Sequence, residues 1–257
     1  MKKSVEENVL ESFSNVAQDG RKSGLPAKLD FMQSATGLFL ALFMIGHMIL
    51  VSSILLGKDV MYALTKFFEL DFIFDGGNPT AVAVVISVVF AIFFIHAALA
   101  MRKFPINYKQ YKMLKSFKDL YNHPDTNLWF VQAVTGFVMF FAGSAHLIMM
   151  LTNPGDIGPY ASADRVWSEH MWSVYLVLLI AVEFHGSIGL YRLSVKWGWF
   201  DGTFTRKQLQ TFKKVMSVVL VVLGLLTLAA YMKIGMEHSD KVGERYHPQT
   251  EITKGVK

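Results

Sequence analysis

The chain has 257 residues, of which 53% are hydrophobic and only 18% charged, with a mean hydropathy of +0.36. This composition excludes an ordinary soluble globular domain and predicts an integral membrane protein, organised as a single domain over residues 1–257. The absence of cysteine excludes disulfides, cysteine-ligated iron–sulfur clusters and thiolate zinc sites in this chain, and the net charge of +5 does not point to nucleic acid, because the basic residues are confined to certain loops.

The start, Met1-Lys2-Lys3-Ser4-Val5-Glu6-Glu7, is polar and leads into no apolar core for over thirty residues, so no cleavable signal peptide is expected. A membrane span needs about 20 mostly apolar residues. Five segments qualify: Ala35–Leu56, Ala81–Met101, Leu128–Leu151, Met171–Leu193 and Val215–Met232. The fold class expected is therefore an all-α membrane protein, a bundle of five transmembrane helices. Deep inside these segments the only charge is Glu183.

Lys and Arg in the connections set the orientation. The loop after the second span carries Arg102, Lys103, Lys109, Lys112, Lys115 and Lys118, and the loop after the fourth carries Arg192, Lys196, Arg206, Lys207, Lys213 and Lys214. The loops after the first and third spans mix Lys58, Lys66 and Arg165 with a larger number of acids. This bias predicts a cytoplasmic N-terminus and a C-terminal tail outside. Tyr108, Tyr111, Met113, Leu114 and Phe117 alternate with lysines, as suits a short amphipathic helix on the inner membrane face, either held at the lipid headgroups or docking a cytoplasmic partner.

Each of the first four spans contains one histidine: His47, His96, His146 and His185. Imidazole has little reason to lie in hydrocarbon unless it binds something. Depth follows from a rise of about 1.5 Å per residue. His96 precedes Arg102 by six residues and His185 precedes Arg192 by seven, both on inward-running spans. His146 precedes Thr152 by six and His47 precedes Gly57 by ten, both on outward-running spans. The four sort into an inner pair, His96 with His185, and an outer pair, His47 with His146. That pattern predicts two b haems stacked across the membrane, each with two axial imidazoles. Glycines 46, 143, 186 and 189 lie close by and allow a macrocycle edge or a neighbouring helix to approach.

No helix carries the i, i+4 histidine pair of a zinc protease, which disfavours zinc. No span carries two histidines, which disfavours the quinol-oxidising cytochromes of bc complexes. His123, His170, His238 and His247 fall at loops, a span edge or the tail and read as solvated polar residues.

Two carboxylates stand out. Glu183, two residues before His185, suits a proton relay, a structural hydrogen bond to a backbone carbonyl being the alternative. Glu69 lies in Lys66-Phe67-Phe68-Glu69-Leu70-Asp71-Phe72-Ile73-Phe74, a run too apolar for a solvated loop and too acidic for a span. Folded down at the outer haem, it would present a general base to a quinol, which loses two protons when oxidised. Gln33, Ser34, Arg102, Trp129 and Lys196 sit at the inner boundary, where they either pair with haem propionates or act as interfacial anchors.

At these residues the chain resembles the di-haem cytochrome b subunits of epsilonproteobacterial-type quinol:fumarate reductases, in the succinate:quinone oxidoreductase superfamily. The likeness covers nearly the whole chain. It is carried by Pro26-Ala27-Lys28-Leu29-Asp30, Gln33 to Leu40, Phe43-Met44-Ile45-Gly46-His47-Met48, Phe68 to Phe74, Met101 to Tyr108, Glu183-Phe184-His185-Gly186-Ser187, and Lys196-Trp197-Gly198-Trp199-Phe200-Asp201-Gly202.

The resemblance implies a five-helix anchor in the bacterial inner membrane, holding a flavoprotein subunit and an iron–sulfur subunit on the cytoplasmic side, with its C-terminus in the periplasm. It implies haem ligation by His96 with His185 and by His47 with His146, and menaquinol oxidation assisted by Glu69. Electrons would pass through the two haems to the partner subunits, where fumarate becomes succinate in anaerobic respiration, with Glu183 moving compensating protons. A dimer of such heterotrimers is implied as well. A menaquinone-linked succinate dehydrogenase running the other way is the rival within the superfamily, and a haem-free anchor or transporter the rival outside it.

Overall fold

The computed structural model describes residues 23–105, 107–121 and 124–248. The polar start of the chain, Ile106 and His123 lie outside the described residues, as does the side chain of Phe117.

Among the described residues the chain is helical: α1 (Leu25–Ser52, continued by a 3-10 turn Ser53–Leu56), α2 (Lys58–Phe68), α3 (Pro79–Met101), α4 (Tyr108–Tyr121), α5 (Pro124–Thr152), α6 (Pro159–Trp167), α7 (Trp172–Trp197) and α8 (Arg206–Glu237). Five of these, α1 with its 3-10 turn, α3, α5, α7 and α8, are long and apolar enough to cross a membrane. They cover the five expected spans, except that Met171 is the N-cap of α7, and each extends beyond its span at one end or both. Hydropathy detects only the stretch that lies in hydrocarbon, whereas the helices continue until a local signal stops them. Thr205 and Gln208 form a reciprocal capping box that starts α8, and Asn78 accepts from the Thr80 amide ahead of Pro79 to start α3.

The packing order defines the site. α1 lies against α3, α3 against α5, α5 against α7, and α7 back against α1, closing a four-helix ring. α8 lies outside it, against α1, α7 and α6. Hydroxyls fasten α8 to the ring: Ser217 Oγ donates to Ser187 Oγ at 2.7 Å, and Thr227 Oγ1 to Ser52 Oγ at 2.9 Å. Such bonds suit an interface where lipid offers no hydrophobic drive for helix association.

The buried apolar cluster sits not inside the ring but at its end away from the basic loops. Ile54, Met61, Ala163, Val166 and Tyr231 meet there, from the 3-10 turn, α2, α6 and α8. Sequence periodicity placed loops at α2 and α6, because nine to eleven residues are too short for the span criterion. Their amphipathic faces are buried against this cap.

The C-terminal tail folds back onto the same cap. Gly243 N donates to Asp164 Oδ2 at 3.0 Å, Arg245 pairs with Asp156 at 3.2 Å, and the Tyr246 hydroxyl donates to Asp59. Desolvation and the adjacent Asp59 carboxylate push the Tyr246 phenol up to about 12. One sequence expectation is overturned here. His238 is not solvated but 5% exposed, with Nδ1 2.9 Å from Asp164 Oδ1 and its ring stacked on Tyr160 at 4.0 Å. Position in the tail suggested solvent, whereas the tail's return onto α6 excludes it.

Candidate cofactor site

The four intramembrane histidines lie one on each helix of the ring. His47 on α1 and His146 on α5 face across one diagonal, His96 on α3 and His185 on α7 across the other. The ring centroids are 6.1 Å apart for His47 and His146 and 6.4 Å apart for His96 and His185. Adjacent helices pack directly, so the diagonals are where a ring system fits between two imidazoles.

These separations test whether a metal-centred group fits. Imidazole nitrogens each about 2 Å from one metal ion place their ring centroids roughly 6 Å apart. Both pairs meet that spacing. The spacing at each level is therefore compatible with one metal ion held between two imidazoles, as in a b-type haem.

At the basic end the His96/His185 pair opens into a cavity of about 710 Å³. It is lined by Gln33, Ser34, Trp129, Glu183 and Lys196 among others. The structure therefore brings these five sequence-derived candidates together with the inner pair. Two glycines that sequence reading missed shape this level. A Cβ on Gly37 would stand 2.8 Å from His96 Cε1, and one on Gly136 would stand 2.9 Å from His185 Cε1. Each inner imidazole leans on the bare backbone of the neighbouring helix. Of the glycines singled out from sequence, Gly46 and Gly186 have no side chain within 4 Å of a built Cβ, which leaves space beside the rings.

A signal for the missed pair exists. Gly37 lies ten residues before His47, and Gly136 ten residues before His146. Each outer-ligand helix thus presents a glycine at the level of the inner ligands, roughly 15 Å along its axis from its own histidine.

The inner imidazoles have defined tautomers. His185 Nδ1 is 2.8 Å from the carbonyl oxygen of Gln132, which can only accept. His96 Nδ1 is 3.1 Å from Thr36 Oγ1, whose own proton goes to the Met32 or Gln33 carbonyl. Both Nδ1 atoms therefore donate, leaving each Nε2 lone pair free to ligate. At the outer level His146 Nδ1 is buried without a hydrogen-bond partner, and His47 stacks on Phe43 at 6.0 Å.

The mouth of the inner cavity is cationic. Arg102, Lys103 and Lys196 converge on Asp30 at 2.7, 2.9 and 3.2 Å. Lys196 Nζ also reaches Ser34 Oγ at 3.5 Å. Three cations around one carboxylate leave an excess of positive charge, and burial pulls the Lys103 ammonium below its ordinary value while its bond to Asp30 opposes this. Arg102 Nη1 and Gln33 Oε1 are buried with no partner. Surplus cations and the unpaired N–H of Arg102 match the carboxylates of a haem edge. Asp30 and Thr36 lie in stretches that carry the family likeness but received no role from sequence, because neither residue type signals one before the helix phase is known.

The two acids stand apart. Glu183 on α7 is 5% exposed and faces the cavity, and among the described residues its carboxyl has no hydrogen-bond or ion-pair partner. Glu69 is at the other end, 4% exposed at the C-terminus of α2, with Oε2 2.8 Å from Lys66 Nζ.

With this geometry in place, the similarity to known proteins is specific. The sequence pattern of the family described as the succinate dehydrogenase/fumarate reductase transmembrane subunit matches residues 108–227. The fumarate reductase cytochrome b subunit of Wolinella succinogenes is 60% identical over 237 residues, covering 91% of this chain and 93% of that protein. The fumarate reductase cytochrome b subunit of Helicobacter pylori strain J99 is 52% identical over 235 residues, covering 91% and 92%.

Proposed function

This chain belongs to the fumarate reductase cytochrome b subunits, and from that membership we propose that it is the membrane anchor of a menaquinol:fumarate reductase in the bacterial inner membrane. The observation that carries the reading is the pairing of four histidines across the two diagonals of one ring, at metal-ligand spacing. The chain acts as one transmembrane domain. Its N-terminus and basic loops are cytoplasmic, facing a flavoprotein subunit and an iron–sulfur subunit, and its C-terminus is periplasmic. Two such heterotrimers form a dimer.

His96 and His185 would hold an inner b haem, with Arg102, Lys103, Lys196, Gln33, Ser34 and Trp129 around its polar edge, and His47 and His146 would hold an outer one. The haems, when bound, supply one-electron redox chemistry linking the quinol end to the partner subunits that reduce fumarate to succinate. The residues of this chain do the remainder. Thr36 and the Gln132 carbonyl orient the inner imidazoles and fix their tautomers. Phe43, Tyr175 and the helix backbones exclude water around the outer ones. Glu69 takes a proton from menaquinol at the outer end. Glu183, unpaired beside the cavity, passes a proton inward to offset the charge carried by the electrons.

Haem stoichiometry of the purified complex tests this reading. The intact chain should bind two b haems, His96→Ala one, and His47→Ala one, each variant losing a different spectral component. Loss of both components in either variant, or loss of neither, would contradict the pairing.

A further inference from the structure

Glu69 does not lie open at the end of its helix. The loop from Leu70 to Asn78 folds back over it, with Asn78 N donating to the Glu69 carbonyl at 2.7 Å and Gly77 N to the Phe74 carbonyl at 2.7 Å. Glycine is required at 77, because φ is +83° and a Cβ would stand 2.5 Å from Glu69 Oε2. Leu70, at φ 59°, holds a left-handed conformation that costs a side-chain-bearing residue energy, and Gly76 at φ 84° turns the chain at the other side. The loop is thus bounded by unusual backbone at both ends. Its tip, Phe72, Ile73 and Phe74, is exposed.

One side chain ties loop to acid. Lys66 Nζ donates to Glu69 Oε2 at 2.8 Å and to the Gly76 carbonyl at 2.8 Å, and lies 5.7 Å over the Tyr62 ring. The other charged groups on these elements are engaged elsewhere or lie on the loop itself. Asp59 accepts from Tyr246, Lys58 sits against Tyr160, and Asp71 and Asp75 belong to the loop. Arg165 on α6, which packs on α2, donates to the Asp156 carbonyl.

We propose that Lys66 is a positioning residue for quinol oxidation, latching the 70–77 loop over Glu69 while the carboxylate is charged and releasing it once Glu69 has taken a proton. This rests on the reading in which Glu69 accepts the quinol proton. The proton leaves a quinol O–H and bonds to a Glu69 oxygen, which neutralises the carboxylate. The ion pair with Lys66 then becomes a hydrogen bond from the ammonium to a neutral acceptor, without the attraction of opposite charges. The Lys66 bond to the Gly76 carbonyl and the Asn78 N bond to the Glu69 carbonyl remain, but without the ion pair they no longer hold closed a loop strained at Leu70, so the loop opens and the acid turns to water. There Glu69 gives up the proton, regains its charge, recaptures Lys66, and the loop closes. One proton enters from the quinol, one leaves to water, and no electron passes through either side chain. The acid is shut off from water when it can accept and open to water when loaded, so uptake and release occur on different sides.

The test uses the assembled complex in detergent with a water-soluble naphthoquinol as donor and fumarate as acceptor. Amide hydrogen exchange of residues 70–78 is followed alongside turnover. Lys66→Gln should lower kcat roughly tenfold with KM for the quinol within about twofold, and should speed exchange in the loop. Lys66→Arg should recover most of the rate, since a guanidinium also bridges two acceptors. Glu69→Gln, neutral like the loaded acid, should speed loop exchange to the same degree with haem content unchanged. Full kcat in Lys66→Gln, or loop exchange no faster than in the unmodified complex, overturns the latch. Full quinol oxidation in Glu69→Gln instead overturns the role of Glu69, and the latch loses its purpose with it; the two failures are therefore distinguishable.

Discussion

The two histidine pairs share a spacing but not a setting. At the basic end both imidazoles have an acceptor on Nδ1, each rests on a glycine of the neighbouring helix, and Lys103 and Lys196, which line the cavity, join Arg102 in pairing with Asp30. At the opposite end His146 Nδ1 has no partner, His47 is held by an aromatic stack, and the polar machinery lies outside the ring in the cap of α2, α6 and the tail. The inner level is organised by hydrogen bonds and charge, the outer by packing. An axial imidazole that donates from Nδ1 is the more basic ligand, so the protein has a handle on the inner group that it lacks at the outer one.

The largest effect that would break this contrast comes from the glycines. Gly136→Val should abolish inner haem binding and leave the outer haem in place, because even a Cβ meets the His185 ring at 2.9 Å. Haem-to-protein ratio and the surviving spectral component measure it; two haems retained would show that the inner imidazole has room to move. A middling effect is expected at Glu183. Glu183→Gln in the complex reconstituted into vesicles should retain both haems yet lose roughly tenfold or more in quinol-linked fumarate reduction. Undiminished turnover would leave the relay role untenable. The smallest effect sharpens the contrast most. Thr36→Val removes the hydroxyl acceptor of His96, leaving the Gln33 backbone beside it, and should raise the inner midpoint potential by a few tens of mV, on a scale where about 59 mV is tenfold for one electron. The outer potential should not move, and a shift of both would mean that the two levels are not separately tuned.

The spans and the two-level sorting of the histidines were legible from sequence, since hydropathy marks hydrocarbon and residue counting converts directly into depth. What counting cannot provide is rotation about each helix axis. The facing of α1 with α5 and of α3 with α7 depends on which stripes bury, and a span apolar all round carries no stripe to read. Gly37 and Gly136 were invisible for that reason, although their shared offset from His47 and His146 was present in the sequence. Asp30 escaped because a lone acid near a helix start reads as a solvated residue until Arg102, Lys103 and Lys196 from two other segments arrive beside it. His238 was misjudged because burial at the cap is created by the tail folding back, a long-range event with no local signature. The Glu69 loop was recognised as neither span nor solvated coil, and its resolution into helix, left-handed Leu70 and a glycine turn follows from backbone chemistry only structure supplies.

The ten-residue offset between glycine and histidine on α1 and α5 has an electrical consequence. It sets the two levels roughly 15 Å apart along the helix axes, about half of a hydrocarbon core some 30 Å thick. A unit charge carried from one level to the other therefore crosses about half of the membrane field. With a potential of 100 mV across the bilayer, that step changes by about 1 kcal/mol. An electron making that step alone would feel this part of the voltage, and the inward proton proposed for Glu183 is what would offset it.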